Sequence, residues 1–156
     1  MAAGRRSEGE RGSTLLLFPA ALLIMIALAA ITVDSAIAFL AQRELMNATA
    51  AAANDAATEA LSDRSFYEEN LVKLSQADVE SVALARIHAL IDRTRHHELA
   101  VRADAVGPVA AGCAWTVTVT ASSRVDALFG RALPGTGQVT VRARSSASPR
   151  GSGGSC

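Results

Sequence analysis

From Leu15 to Ile31 seventeen residues carry no polar side chain, and Thr32 and Val33 extend the run to Asp34. At about 1.5 Å per residue, roughly twenty such residues cross a hydrocarbon core of about 30 Å. An aspartate at mid-bilayer costs about 2.5–3.5 kcal/mol, a cost that mostly disappears at the interface. Asp34 is therefore read as the end of the span rather than as a buried proton carrier. Pro19 falls in the first turns of the expected helix, where a missing amide hydrogen bond is least disruptive.

Beyond the span the pattern changes while the helix signal persists. Eight of the thirteen residues from Ala48 to Ala60 are Ala, the best helix former, and neither Gly nor Pro occurs between Pro19 and Gly107. One helix from about Ser13 to Leu61, roughly 70 Å long, accounts for this. The Ala-rich part reads either as a stable stalk or as a close-packing face, since small side chains let helix backbones approach. Ala48, Ala52 and Ala56 mark that candidate helix-packing interface. Ile37, Phe39, Leu40, Leu45 and Met46 flank it and also need cover. The cover comes either from the protein's own sheet folding back or from a neighbouring helix, and the sequence reading favours a partner.

"SDRSFYEENLVKLS" breaks the Ala pattern. Ser75-Gln76-Ala77-Asp78 then resembles a capping box with Asp in place of the usual Glu. Val79, Val82, Ala83, Ile87, Leu90 and Ile91 share one face at helical spacing. This predicts an amphipathic helix of about eighteen residues ending near "RTRHH", bases suited to a helix carboxyl end. Period two follows in three segments: Leu99 to Ala105, Trp115 to Ala121, and Val139 to Ala143. Their polar alternate positions predict a small three-stranded antiparallel sheet with the second helix across its apolar side. The expected fold class is α+β. The expected divisions are a tail 1–12, a membrane helix 13–34, an Ala-rich helix 35–61, a helix-plus-sheet domain 62–147 and a flexible Gly/Ser tail 148–156.

Charge sets the orientation. Arg5, Arg6 and Arg11 precede the span and only Arg43 follows soon after, so the amino terminus is expected in the cytoplasm and the domain outside. The rival is a secretory signal cut after the A-x-A pattern Ala27-Leu28-Ala29. Apolar character continues past that point through Ile31, Val33, Ile37, Phe39 and Leu40, which favours a retained anchor. Composition agrees with a membrane protein: half of the 156 residues are apolar and the mean hydropathy is +0.25. A formal net charge of zero offers no global field toward nucleic acid. The chain has fifteen Lys plus Arg with Lys73 the single Lys, leaving fourteen Arg. That bias, with abundant Ala, looks like a GC-rich bacterial coding sequence of actinobacterial type rather than a recognition surface.

Chemistry-bearing patterns are few. His96-His97-Glu98 reads as a solvated helix end, because adjacent side chains there diverge and no other His or Cys has ligand spacing. Asn47-Ala48-Thr49 matches a glycosylation acceptor by chance in a bacterial chain. No G-x-S-x-G, P-loop or H-E-x-x-H occurs, so no enzyme, metal, cofactor or small-molecule substrate is expected. Cys113 and Cys156 fit no CxxC pattern. In an oxidising exterior they are a candidate disulfide, either within the chain or between chains through Cys156.

The order of features resembles the TadE/TadG-like proteins of Flp (Tad) pilus assembly. It lies in "RGSTLLLFPAALLIMIALAAITVDSAIAFLAQRELMNATAAAANDAA", Arg11 to Ala57, and in "WTVTVTASSRVDALFGRALPGTGQVTVRARSSA", Trp115 to Ala147. The first has an RG junction, one apolar span, a D-[SA] near its outer end, Q-R-x-L-x-N-A and an Ala-rich helix. The second has a strand, a partly apolar loop and a closing strand. The resemblance implies a pseudopilin-like, single-pass, non-enzymatic component of a pilus or related secretion apparatus, partnered by that apparatus or by itself. Processed members carry Glu at the fifth mature position. After Gly12 that position is Leu17, so an uncleaved assembly protein is expected, with a processed minor pseudopilin as the alternative. Replacing Ile24 by Arg at mid-span is expected to impair insertion by adding about 2.5–3.5 kcal/mol, read as loss of protein from the membrane fraction.

Overall fold

The computed structural model describes residues 11–60, 74–107, 115–132 and 137–149. The chain is α+β. Helix α1, Arg11–Glu59, runs for 49 residues without a break. Helix α2, Gln76–Leu90, is followed by strands β1, His97–Val106, β2, Thr116–Asp126, and β3, Gln138–Ala147. The strands form an antiparallel sheet in the order β1-β2-β3. One face of the sheet carries both helices, with α1 lying over β2 and β3 and α2 lying beside it over β1. Cys113 and Cys156 lie outside the described residues, and so does any bridge between them.

Helix α1 is two helices in character. From Leu17 to Leu40 its large apolar residues point outward, except Ile37, which packs against the core: Phe18, Met25 and Ile31 are 75%, 67% and 63% exposed. This part is long and apolar enough to cross a membrane, which makes it a candidate span or signal sequence. Because α1 begins at Arg11, Pro19 sits past the second turn, deeper than the sequence reading put it. One backbone bond is lost there, a defect that membrane helices commonly tolerate. From Ala41 onward one face turns inward.

That inward face corrects the expectation of a partner along the Ala-rich stretch. Ala48, Ala52 and Ala56 are buried at 2%, 0% and 0% in the chain's own core. They share that core with Val79, Ala83 and Ile87 of α2 and with Val117, Val119 and Val141 of the sheet. Folding back of the sheet supplies the cover, so these alanines are closed to a neighbouring molecule. Small side chains let α1 settle close against two layers at once, while the β-branched residues opposite provide the apolar area. Thr49, fully buried among them, returns its hydroxyl to the Leu45 carbonyl at 2.6 Å.

Ser75 caps α2 as the motif predicts, its side chain accepting from the Asp78 amide. The helix ends earlier than "RTRHH". Ile91 is already extended at φ −96 and ψ 129. Asp92 then closes a turn, accepting from the Thr94 amide and hydroxyl at 2.9 and 2.8 Å. Local Asp side-chain bonding outcompeted helix continuation here. Leu90, expected on the buried face, is the last residue of the helix and is 44% exposed. Gln76 adds a link that periodicity cannot reveal. Its amide donates to the Ala103 carbonyl and accepts from the Ala105 amide, both at 2.8 Å, as an extra backbone unit on the edge of β1 would.

Introducing Leu at Ala52 should destabilise the domain itself by about 1–3 kcal/mol, since the site is full. Chemical denaturation of the detergent-solubilised chain measures this directly.

Candidate functional site

The site with the most built geometry lies where α1 leaves its apolar half. Asp34 reaches across to the β2–β3 connection, ninety-odd residues later in the chain. Its Oδ1 accepts from the amides of Leu128 and Phe129 at 2.7 and 3.0 Å, and its Oδ2 from that of Gly130 at 2.8 Å. Gly130 opens a short 3-10 turn, Gly130–Ala132. The amides at the start of such a turn have no intrahelical acceptor, so a carboxylate fits them. The sequence reading took Asp34 as the end of the span and gave it no partner. It is a clasp between the helix and the sheet.

The neighbouring polar side chains of α1 are also satisfied internally. Thr32 donates to the Leu28 carbonyl at 2.8 Å and Ser35 to that of Ile31 at 2.7 Å. Between Leu17 and Ala41 these two and Asp34 are the polar residues of the helix. Beside the clasp lies a groove of about 570 Å³, walled by Ala27, Ala30, Ile31 and Ala38 of α1 and by Phe129 and Val139 of the sheet region.

Charged residues gather just above. Asp126, the last residue of β2, accepts from Gln138 Nε2 at 3.1 Å, pairs with Arg131, and lies 3.4 Å from His97 Nε2. The Gln138 hydrogen bond, and after it Arg131 and His97, hold the Asp126 carboxyl below the usual carboxylate range, against the opposing effect of partial burial. Asp92 is lowered likewise, first by the Thr94 amide and then by the Thr94 hydroxyl and nearby Arg95. A carboxylate with a depressed folded value supports the fold above its unfolded pKa of about 3.9 and loses that support as pH falls through the folded value.

His96, read from the sequence as solvated, is 4% exposed. Its Nδ1 shares a 2.7 Å hydrogen bond with Ser123 Oγ, and its Nε2 lies 3.7 Å from Glu44 Oε2. Serine, histidine and a carboxylate thus meet, yet Ser123 is 2% exposed inside the core and no substrate reaches its hydroxyl. The group ties α1, the α2–β1 turn and β2 together. His97 and Glu98 diverge from it, His97 toward Asp126 and Glu98 onto Arg124 at 2.9 Å. A bulge separates them: between His97 and Ala100, Glu98 and Leu99 oppose the single residue Ser123, and Glu98 takes φ 49. Among the described residues no three His, Cys, Asp or Glu side chains converge as metal ligands.

No protein-family model, no curated protein and no solved structure matches the chain.

Asp34→Ala is expected to release three amides at once while leaving the core of β2 intact. Hydrogen exchange should accelerate at Leu128, Phe129 and Gly130 and stay unchanged at Val117 and Val119.

Proposed function

We propose that this protein is a single-pass membrane protein and a non-enzymatic structural component of a Flp (Tad) type pilus or related secretion apparatus. The observation that carries the reading is the continuity of α1, which leaves an apolar stretch and becomes the central helix of the folded domain without a hinge. The order of features shared with TadE/TadG-like proteins supplies the class of apparatus. Retention of the anchor is supported by what cleavage after Ala29 would leave behind. Ile31, Phe39 and Leu40, at 63%, 66% and 58% exposed, would face water in a released domain.

The basic residues before the span support a domain outside the cytoplasm. With Ala48, Ala52 and Ala56 taken up internally, the apparatus meets another side of α1, where Met46 stays open.

Carbonate extraction followed by amino-terminal sequencing tests the anchor. The chain is expected to remain in membranes with its amino terminus uncut. Recovery of soluble protein beginning at Ala30 would instead establish a secreted module, and a start at Ser13 a processed pseudopilin. Loss of the gene product should abolish surface pili, and crosslinkers placed at Met46 should capture assembly proteins; normal piliation without it would sink the pilus assignment.

A further inference from the structure

We propose that the β2–β3 connection is a second membrane contact, with Leu128, Phe129 and Val139 seated among the acyl chains of the leaflet nearest the domain. This rests on the reading of α1 as a retained membrane span. Leu128, Phe129 and Val139 are 62%, 47% and 38% exposed, a high apolar exposure for three residues so close together beside one helix. Phe129 and Val139 wall the same groove as Ala27, Ala30 and Ile31. Ala27 lies seven residues, about 10 Å, to the membrane side of Asp34. The loop therefore stands alongside the apolar half of α1.

Asp34 marks no water boundary in this arrangement. Its oxygens are occupied by three amides, and the hydroxyls of Thr32 and Ser35 are returned to the helix. Polar groups satisfied within the protein are tolerated at membrane depth, where unsatisfied ones are not. The apolar surface of α1 accordingly continues past Asp34 to Phe39 and Leu40. Charge begins at the edge of the connection, where Arg131, two residues after Phe129, turns to Asp126, and it gathers higher, where Leu40 and Ala41 share a second groove with Arg95, His97 and Asp126. Apolar residues below and charged residues above place the headgroup level near Leu40. A span from Leu17 to Ala38 is about 33 Å long, which a tilted helix accommodates in a core of about 30 Å.

A lipid surface fits this patch better than a protein. The patch is continuous with the span, so the bilayer that receives α1 already lies against it. Trp115, at the opposite end of the eleven-residue β2, provides an internal reference about 36 Å away.

The test uses the full chain in phosphatidylcholine–phosphatidylglycerol vesicles with brominated acyl chains. Trp115→Phe is combined with Phe129→Trp, and separately with Leu128→Trp in case either substitution disturbs the loop. Both introduced indoles are expected to emit to the blue and to be quenched by the bromines, while Trp115 of the unmodified chain is not. Asp34→Ala should reduce the quenching. A chain that floats with the vesicles but shows indoles quenched no more than Trp115 overturns the contact, and blue-shifted yet unquenched emission overturns it in favour of protein cover. A chain that does not float overturns the anchor reading as well, so the two failures are distinct.

Discussion

An α-helix without glycine or proline from Ala20 to Glu59 resists bending, so the part of α1 packed inside the domain fixes the direction of the part below it. At about 73 Å the helix is longer than any other dimension the domain needs. Where a flexible linker would let the domain reorient freely, this continuous helix ties the domain's orientation to that of the apolar segment. The rest of the fold is arranged around that constraint. The sheet and α2 wrap the upper half, and the lower half is left bare.

Wrapping a straight helix on two sides requires a thin helix. Alanine provides it along the buried face from Ala48 to Ala60, and the valines and isoleucines that supply apolar area sit on the elements facing it. Most polar groups caught in this close contact have a partner: Thr49 bonds its own helix, His96 Nδ1 bonds Ser123, and Gln76 completes the edge of β1, while the buried His96 Nε2 makes no hydrogen bond. Partners drawn from different elements resist sliding in a way that apolar contact alone does not. Ser123 and His96 in particular join a strand to the turn after α2, with Glu44 of α1 nearby.

What could be read along the chain was what repeats at short range. The uninterrupted helix, the Ser75 cap and the alternation of the three strands all follow from spacing. The alternation in fact ran further than was read, since Ser123 and Val125 continue the inward set of Val117, Val119 and Ala121. A serine at an inward position was the available sign that a polar partner would be buried there. The end of α2 was misjudged because bases suit a helix carboxyl end, whereas Asp92 and Thr94 form a tighter local alternative. Asp34 and Gln76 could not be given partners at all. Each bonds backbone amides or carbonyls far along the sequence, and a backbone group carries no residue signature. The alanine face was visible, but which surface covered it was a question of tertiary contact.

The chemistry of Asp34 explains why one acidic residue belongs in so apolar a helix. Three amides converge from one turn, and an acceptor with two oxygens and no hydrogen can serve all three. Asparagine would turn an NH2 group toward one of those amides, and serine would offer a single oxygen. Converging amides bring partial positive charge, which offsets the carboxylate. The same three bonds satisfy backbone groups of Leu128, Phe129 and Gly130 that would otherwise have to be hydrated. The aspartate thus holds the connection against the helix, and the connection satisfies both oxygens of the aspartate. Each is an unfavourable placement alone, and together they leave neither with an unmet polar group.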